Sequence, residues 1–266
     1  MHIAVLVKQV PDTDDIKLDP ETGTMIREGL KSIINPLDLN ALEAALRIKE
    51  INKDKTTVSA ITMGPPASEE ALREAKAMGA DETYLLCDKK FAGADTYATS
   101  KTLANALRTI NNIDLIMTGE KAIDGETGQV GPEVGVFMEV PVVSYVTRIL
   151  DVEDEYVDVE RETETGRESW RVFFPCLLTI TKETNEPRLP TLSGKKEARR
   201  IKIKEYSCER LSIDPEKVGL KGSPTRVVKI GTPKISREVK MFEGPELKKG
   251  VKEAVNVLKG YLEVKH

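Results

Sequence analysis

The chain has 266 residues, with 40 Lys and Arg against 44 Asp and Glu and a net charge of −4. This length allows one large or two modest domains, and the near balance of charge gives no whole-molecule signal for nucleic acid or an anionic membrane. The three cysteines have no Cys-x-x-Cys spacing, so we predict neither a zinc site nor a disulfide framework and expect a reducing, cytoplasmic compartment. No apolar run reaches the roughly 18 residues that a membrane helix needs, so no membrane span is predicted.

The histidines limit the chemistry that side chains of this protein can supply. There are two, His2 near the beginning and His266 as the last residue. Neither position suggests a buried general base, so a Ser–His or Cys–His nucleophile is not predicted. We therefore predict no catalytic side chain and no metal site. Any reaction that side chains cannot catalyse would be carried out by a bound cofactor.

Strands and helices alternate along the first 150 residues. Apolar runs predict strands over residues 3–7, 57–63, 82–87, 115–118 and 142–150. Helical spacing predicts helices over residues 36–51, 68–78, 97–110 and 133–139, with Ser68 as a cap. This order predicts an α/β fold, in which a parallel sheet carries helices on both faces. Right-handed crossovers would place the strand ends on one rim, where open sheets bind ligands.

The pattern changes after residue 150 and suggests antiparallel and extended structure. Alternating residues at 156–162 and 170–174 predict a hairpin, and a second hairpin is predicted earlier, over residues 16–27. Residues 176–181 predict another strand. Residues 205–236 are polar and contain three prolines, which is typical of an arm without a core of its own. Residues 245–262 form an amphipathic helical pattern that must lie on its own domain or on a partner.

One glycine-rich stretch, GEKAIDGETGQVGP from Gly119 to Pro132, follows a predicted strand and precedes a predicted helix. Small residues let backbone N–H groups approach an anion, and a helix N-terminus adds partial positive charge. We expect Gly125, Gly128 and Gly131 to give the room. The residues alone leave two interpretations open: a site for a phosphate-bearing ligand, or a loop that only turns. The spacing matches neither the dinucleotide nor the Walker fingerprint.

Four segments together resemble the β subunit of electron-transfer flavoproteins, over most of the chain. They are IAVLVKQVPDT, INPLDLNALEAALRIKE, AITMGPP followed by AMGADE, and NEPRLPTL. The last is similar to a signature of that subunit. The resemblance implies a heterodimer whose α subunit carries an FAD. It also implies that the β subunit is a Rossmann-like α/β domain that binds an adenine nucleotide on its rim.

The family has two branches, and two stretches here resemble the electron-bifurcating one: AIDGETGQVGP, and FAGADTYATS at residues 91–100. In that branch the nucleotide is a second FAD, which takes hydride from NADH. Its electrons then go to ferredoxin or flavodoxin and, through the α-subunit FAD, to an acyl-CoA dehydrogenase-type or quinone reductase partner. NADH-dependent oxidoreductase activity is thus implied only within the flavoprotein complex. In the ordinary branch the ligand is AMP, a structural filler. Glu126 and Gly128 depart from the commonest bifurcating pattern.

Carried over by position, the resemblance implies a set of binding residues. The adenosine end would meet Leu6, Lys8, Asn35, Asp38, Met63 and Gly64. The pyrophosphate end would meet Asp124, Gly125, Thr127, Gly128, Gln129 and Val130. The ribityl and ring portion would meet Asp95, Thr96 and Thr99, and Leu192 would dock partner dehydrogenases. The structural alternative is loop and cap geometry for the glycine stretch, core packing for Met63 and a solvated side chain for Lys8.

The resemblance also implies a division of the chain. Residues 1–190 would form the nucleotide-binding α/β domain, 191–236 an extended arm that wraps the partner subunit, and 237–266 a C-terminal amphipathic helix. The basic run Lys195 to Arg200 would then attract acidic partner proteins. We do not predict a nucleic-acid site there, because the run contains no aromatic residues that could stack on bases. Two alternatives stay open here: an AMP-holding β subunit, and a stand-alone nucleotide-binding or hydrolysing domain of stress-protein type. The second would leave the arm and the last helix unexplained.

Overall fold

A computed structural model describes residues 1–12, 32–52, 55–228 and 239–263. The hairpin predicted over residues 16–27 lies outside the described residues. Backbone contacts divide the chain into two compact units, residues 1–228 and residues 229–266. The domain boundaries at residues 190 and 236 stay predictions.

The first unit is built on a nine-stranded sheet with a separate two-stranded pair. In chain order the strands are β1 (His2–Leu6), β2 (Gln9–Pro11), β3 (Ser32–Ile34), β4 (Thr57–Met63), β5 (Glu82–Leu86), β6 (Leu115–Gly119), β7 (Val142–Val152), β8 (Tyr156–Thr163), β9 (Gly166–Phe173), β10 (Cys176–Ile180) and β11 (Lys204–Tyr206). The sheet order is β11-β5-β4-β1-β6-β10-β7-β8-β9, and β2 pairs with β3. Every predicted strand between residues 57 and 181 is present.

The helices lie between these strands, as the spacing predicts. They are α1 (Pro36–Asn52), α2 (Glu69–Met78), α3 (Thr96–Ile110), α4 (Val130–Met138), α5 (Leu192–Ala198), α6 (Gly219–Gly222) and, in the second unit, α7 (Leu247–Glu263). Ser68 precedes α2, but its hydroxyl donates to Gln9 Oε1 at 3.3 Å and caps nothing, so the predicted side-chain cap is wrong. Helix α4 begins at Val130, three residues before the predicted start.

The α/β fold class is confirmed, since β11, β5, β4, β1, β6, β10 and β7 run parallel. Successive strand residues enter two separate cores, as alternation in a strand requires. Ile3 and Val5 of β1 join the core that contains α1 and α2 residues, while Ala4 and Leu6 join the core with α3 and α4 residues. Helices therefore cover both faces, and the sheet holds its carboxyl-terminal strand ends along one rim.

Two features complete the sheet beyond this α/β core. The predicted hairpin is β8 and β9, which pair antiparallel and extend the sheet from β7, after which β10 returns to lie between β6 and β7. At the opposite edge β11 pairs with β5, and its Tyr206 is buried. The polar pattern did not predict β11, because three residues are too short for a visible alternation and only one of them is apolar.

The second unit contains α7, whose apolar side chains Leu247, Val251, Val255 and Leu258 are exposed. Within this unit Lys240 Nζ donates to Glu253 Oε1 at 3.3 Å. Among the helices of the described ranges, none combines the length and the apolar character that crossing a bilayer requires.

Candidate functional site

The rim brings together the loops after β1, β4 and β6, because β4, β1 and β6 are neighbours in the parallel sheet. Lys8 follows β1, Gly64 follows β4, and the glycine-rich stretch follows Gly119 at the end of β6. These are the loops in which most of the predicted binding residues lie. Their geometry depends on two buried polar side chains at the start of α1.

Asn35 joins the start of α1 to the glycine-rich stretch. Its side chain is fully buried, its Nδ2 donates to the Lys121 carbonyl at 2.9 Å, and its Oδ1 accepts from the Ile123 N–H at 3.1 Å. Its backbone N–H donates to the Lys8 carbonyl at 2.8 Å. The amide of Asn35 therefore fixes the conformation of the loop. Direct contact between Asn35 and a ligand stays a prediction.

Asp38 joins the ends of β1 and β6 in the same way. Its two carboxylate oxygens accept the N–H of Lys8 at 2.8 Å and the N–H of Gly119 at 3.0 Å. Burial raises the pKa of Asp38 to about 7, against the opposing effect of these hydrogen bonds and of the Asn35 side chain. A Cβ at position 119 would lie 2.6 Å from Asp38 Oδ1, so only glycine allows this approach.

The glycine-rich stretch presents a row of backbone donors. The N–H groups of Thr127, Gly128, Gln129 and Val130 donate to no acceptor among the described residues, and they lead into α4, whose first intrahelical bond runs from Glu133 to Gln129. Gly128 has φ +63°, which favours glycine. A helix start with free N–H groups attracts negative charge, so this row has the geometry of an anion site.

A lysine side chain pairs with Asp124, three residues before this row of donors. Lys8 Nζ contacts Asp124 Oδ1 at 2.7 Å, with about half of the lysine side chain exposed. This pair links the loop after β1 to the glycine-rich stretch, and it leaves lysine donors available to a ligand. Gly125, next to Asp124, has open space where a Cβ would be.

Gly131 has a different role from the one the sequence predicts. A Cβ there would lie 2.7 Å from Thr118 Oγ1 and 2.9 Å from Thr179 Cγ2, so this glycine lets α4 pack closely on β6 and β10. It does not provide room for a ligand. Gly135 has the same function one turn later, where a Cβ would lie 2.1 Å from Val142 Cγ2.

The loop over residues 91–100 is joined to the same helix. Asp95 Oδ1 caps α3 by accepting the Ala98 N–H at 3.0 Å. Thr96 Oγ1 donates to Glu133 Oε1 at 3.3 Å, and Ser100 Oγ donates to Glu133 Oε2 at 2.9 Å. Thr99 is half-buried, one turn into α3. The predicted ribityl loop and the start of α4 therefore form one continuous stretch of the rim.

Three further predicted residues lie at the base of the rim. Leu6 is buried in the core with α3 and α4 residues, and Met63 is half-buried against that core. Gly64 packs against Ser68, because a Cβ there would lie 2.3 Å from Ser68 Oγ and would force that side chain to move. The structure thus shows a packing role for all three, and their contact with a ligand stays a prediction.

Comparison with known proteins places this chain in one family. The family described as the electron transfer flavoprotein domain matches residues 22–207. The electron transfer flavoprotein subunit beta of Thermoanaerobacterium thermosaccharolyticum is 48% identical, over 100% of this chain and 99% of the relative. The caffeyl-CoA reductase-Etf complex subunit CarD of Acetobacterium woodii is 46% identical, over 97% and 98%. Protein FixA of Azotobacter vinelandii is 43% identical, over 88% and 85%.

The chain belongs to the electron transfer flavoprotein β-subunit family. Electron transfer is therefore its general function, association with a flavin or nucleotide is a property of the family, and β subunits of the family pair with an α subunit.

The NEPRLPTL segment of the family resemblance lies on α1, the helix that also anchors the rim. Asn40 and Asn185 exchange hydrogen bonds, with Nδ2 of each donating to the backbone carbonyl of the other at 2.7 and 2.9 Å. Arg188 Nε pairs with Glu43 Oε2 at 2.7 Å, and its guanidinium also pairs with Glu50. Burial would raise the pKa of Glu43, but hydrogen bonds from Arg188 and Arg47 outweigh it and lower that pKa.

These contacts hold the segment that leads to α5, where Leu192 is 87% exposed. Leu189 beside it is 88% exposed. Sequence patterns alone did not predict the anchoring roles of Asn40 and Glu43. The available signal was their position among the apolar residues of α1, since a buried Glu or Asn requires a partner.

A separate cleft of about 220 Å³ lies between α1 and β7, away from the rim. Its walls include Ile48 and Ile51 of α1, Ile149 and Leu150 of β7, and Arg47. It contains none of the predicted binding residues, so the candidate site is the open rim rather than this cleft.

Proposed function

We propose that the chain is the β subunit of an electron-bifurcating flavoprotein and that its rim holds FAD. Bound there, FAD would take the two electrons of NADH and divide them between ferredoxin or flavodoxin and the α-subunit FAD. The second path would lead to an acyl-CoA dehydrogenase-type or quinone reductase partner. The stretches at residues 91–100 and 122–132, which resemble the bifurcating branch, support FAD rather than AMP.

The observation that carries the proposal is the row of N–H groups from Thr127 to Val130, which donate to no acceptor among the described residues. The Lys8 ammonium pairs with Asp124 in the same stretch. A diphosphate needs several donors and positive charge, and this stretch offers both at the start of α4. The N–H groups and Lys8 would hold the diphosphate. Asn35 and Asp38 would keep the donors in place through the hydrogen bonds described above.

The remaining residues of the rim would orient the coenzyme and not react with it. Thr96 and Thr99 lie where α3 begins, next to the start of α4, and would meet the portion of FAD that AMP lacks. No side chain of this chain is required to accept a proton or form a bond. The protein would fix position and electrostatic surroundings, and FAD would supply the redox chemistry.

The relatives support the choice of partner. One similar protein is named as a subunit of a caffeyl-CoA reductase complex, which favours a partner that acts on a coenzyme A thioester. Leu192, exposed on α5, would dock such a partner, and the basic residues that follow it would attract an acidic surface.

Flavin counting tests the proposal. The chain is co-expressed with its α subunit, and FAD and AMP released from the purified heterodimer are quantified. We expect two FAD per heterodimer and anaerobic bleaching of flavin absorbance by NADH. One FAD with one AMP would show that the chain is an AMP-holding subunit, and a stable flavin-free monomer would point to a stand-alone nucleotide-binding domain.

Two threonine substitutions locate the site. Thr127→Val removes the side-chain hydroxyl of the first residue in the donor row and leaves the backbone N–H groups in place. It should weaken FAD retention, with an increase of severalfold in the rate of flavin loss on dilution. Thr109→Val makes the same change at the exposed far end of α3, where the hydroxyl donates only to the Asn105 carbonyl. It should leave flavin retention unchanged. Equal loss in both variants would show that the effect is not specific to the rim.

A further inference from the structure

The last segment of the first unit lies directly on the loop that precedes α3. The Leu220 N–H donates to the Ala92 carbonyl at 3.0 Å. Gly219 has φ +57°, and a Cβ there would lie 2.0 Å from the Lys90 carbonyl oxygen. Gly93 has φ +73°, and a Cβ there would lie 3.1 Å from Leu220 Cβ. These close approaches bring the two backbones into contact.

Asp95 adds hydrogen bonds to this contact. One carboxylate oxygen, Oδ1, caps α3 through Ala98, while the other, Oδ2, accepts the Thr225 N–H at 2.9 Å and the Thr225 hydroxyl at 2.8 Å. The Asp95 N–H donates to Ser223 Oγ at 2.8 Å. Burial would raise the pKa of Asp95, but the bonds from Ala98 and Thr225 lower it overall, so the acceptor is an ionised carboxylate. We call Asp95, Ser223 and Thr225 the Asp95 clasp.

The clasp lies next to residues that we expect to contact the coenzyme. Residue 96 follows it directly, and Thr96 contacts Glu133 of α4 at 3.3 Å. The same short loop therefore contacts the start of α4, which follows the donor row, and residues 219–225. Those residues belong to the predicted arm, close to the point at which the first unit ends.

We propose that Asp95 is a positioning residue that joins the loop over residues 91–100 to residues 219–225, so that a ligand held by this loop restrains the part of the predicted arm next to the end of the first unit. This inference rests on the proposed binding of FAD at the rim. The proposal has two parts. The first, that the Asp95 clasp holds residues 223–225 against the loop, does not depend on a ligand. The second part requires FAD to contact the loop through the portion that AMP lacks.

Amide hydrogen exchange at Thr225, measured in the heterodimer, tests the first part. Asp95→Asn should still cap α3 through its one side-chain oxygen, since Asn and Asp cap equally well. The amide nitrogen that then faces Thr225 cannot accept the two hydrogen bonds that the second carboxylate oxygen accepts in the wild type. We expect exchange at Thr225 to become faster by about tenfold, as for loss of a hydrogen bond to a charged acceptor. Asp214→Asn is the matched control, because Asp214 caps the Glu216 N–H at 3.0 Å and its other oxygen lies 3.7 Å from the exposed Lys217 Nζ.

Unchanged exchange at Thr225 in Asp95→Asn, or an equal effect in Asp214→Asn, would overturn the clasp. The second part compares heterodimers loaded with FAD or with AMP at the rim. FAD should slow exchange at Thr225 severalfold in the wild type and not in Asp95→Asn, whereas AMP should have no effect. Equal exchange with FAD and AMP would overturn the coupling. Flavin content of the same samples shows whether a missing effect comes from failure of FAD to bind, which is a failure of the proposed function.

Discussion

Helix α1 anchors two loops, one that exposes backbone N–H donors and one that leads to an exposed leucine. At its start, Asn35 and Asp38 bind backbone groups of the rim, and the rim presents free N–H donors. Farther along, Asn40 and Glu43 bind the segment that contains Arg188, and that segment leads to an exposed leucine. Among the described residues Asn35 and Asp38 form no salt bridge, whereas the second anchor depends on the pair between Glu43 and Arg188. A buried carboxylate is thus held mainly by backbone N–H groups at the rim and by a guanidinium at the segment that contains Arg188.

The difference has an electrostatic reason. A cation placed against Asp38 would lower its pKa and fix its charge, whereas here burial keeps that pKa near 7 and two N–H groups are its main partners. At Glu43 the guanidinium of Arg188 compensates for burial and at the same time fixes the direction of the chain. Four predictions test this contrast.

The largest effect should come from pH acting on Asp38. The pKa is about 7 in the folded protein and 3.8 in the unfolded chain, so the stabilising contribution is complete below pH 4 and is lost as pH rises to 7. The difference in the free energy of unfolding between wild type and Asp38→Asn should fall by about 1.4 kcal/mol per pH unit across that window. Urea unfolding from pH 4 to pH 8 measures it. A difference that is flat with pH would show that Asp38 is ionised with little penalty.

The second effect should come from Glu43→Ala, which leaves Arg188 and Arg47 without their buried acceptor. Removing one partner of a buried pair costs about 3–5 kcal/mol, and because the Arg188 side chain is 32% exposed we expect a loss of about 2–3 kcal/mol. Glu50→Ala removes the 60% exposed partner of the same arginine and should cost under about 1 kcal/mol. Urea unfolding at pH 7 compares the two variants. Equal losses would mean that burial of Glu43 does not determine its contribution.

The third effect should come from Gly194→Ala in α5. A Cβ there would lie 2.2 Å from the Ala77 carbonyl oxygen, so α5 must move away from α2, at a cost of about 1–2 kcal/mol after the gain in helix propensity. Gly125→Ala is the control from the rim, where a Cβ meets open space. Thermal unfolding should show a lower Tm for the first variant and a change near zero for the second. The opposite ranking would mean that the rim is more tightly packed around Gly125 than α5 is around Gly194.

The smallest effect on stability should come from Leu192→Ala, within about 0.5 kcal/mol, since the side chain is 87% exposed. Electron delivery to an acyl-CoA dehydrogenase-type partner should instead show a KM raised by about tenfold, the size of a binding hot spot. Leu189→Ala, equally exposed, is the matched control. Equal KM values for Leu192→Ala and the wild type would remove Leu192 from the docking surface.

Local sequence patterns were sufficient for most of the fold. Apolar runs located β1, β4, β5, β6, β7 and β10, and Pro36 marked the start of α1. These elements were predictable because each depends on residues within one turn or one strand. The row of donors after Gly125 was predictable for the same reason, since small residues next to a helix start indicate an anion site without any knowledge of distant contacts.

Only the tertiary structure decided how the polar residues are used. Asn35, Asp38, Glu43 and Asp95 each bind groups that are distant in the sequence, and Gly131 serves packing where the pattern suggested room for a ligand. The physical reason is that a buried polar side chain must find a partner, and sequence spacing does not say which part of the chain supplies it. Strand β11 was likewise decided by an edge of the sheet that no local pattern describes. The sequence by itself therefore determined the family, the α/β fold and the place of the rim, while folding determined which side chains build that rim.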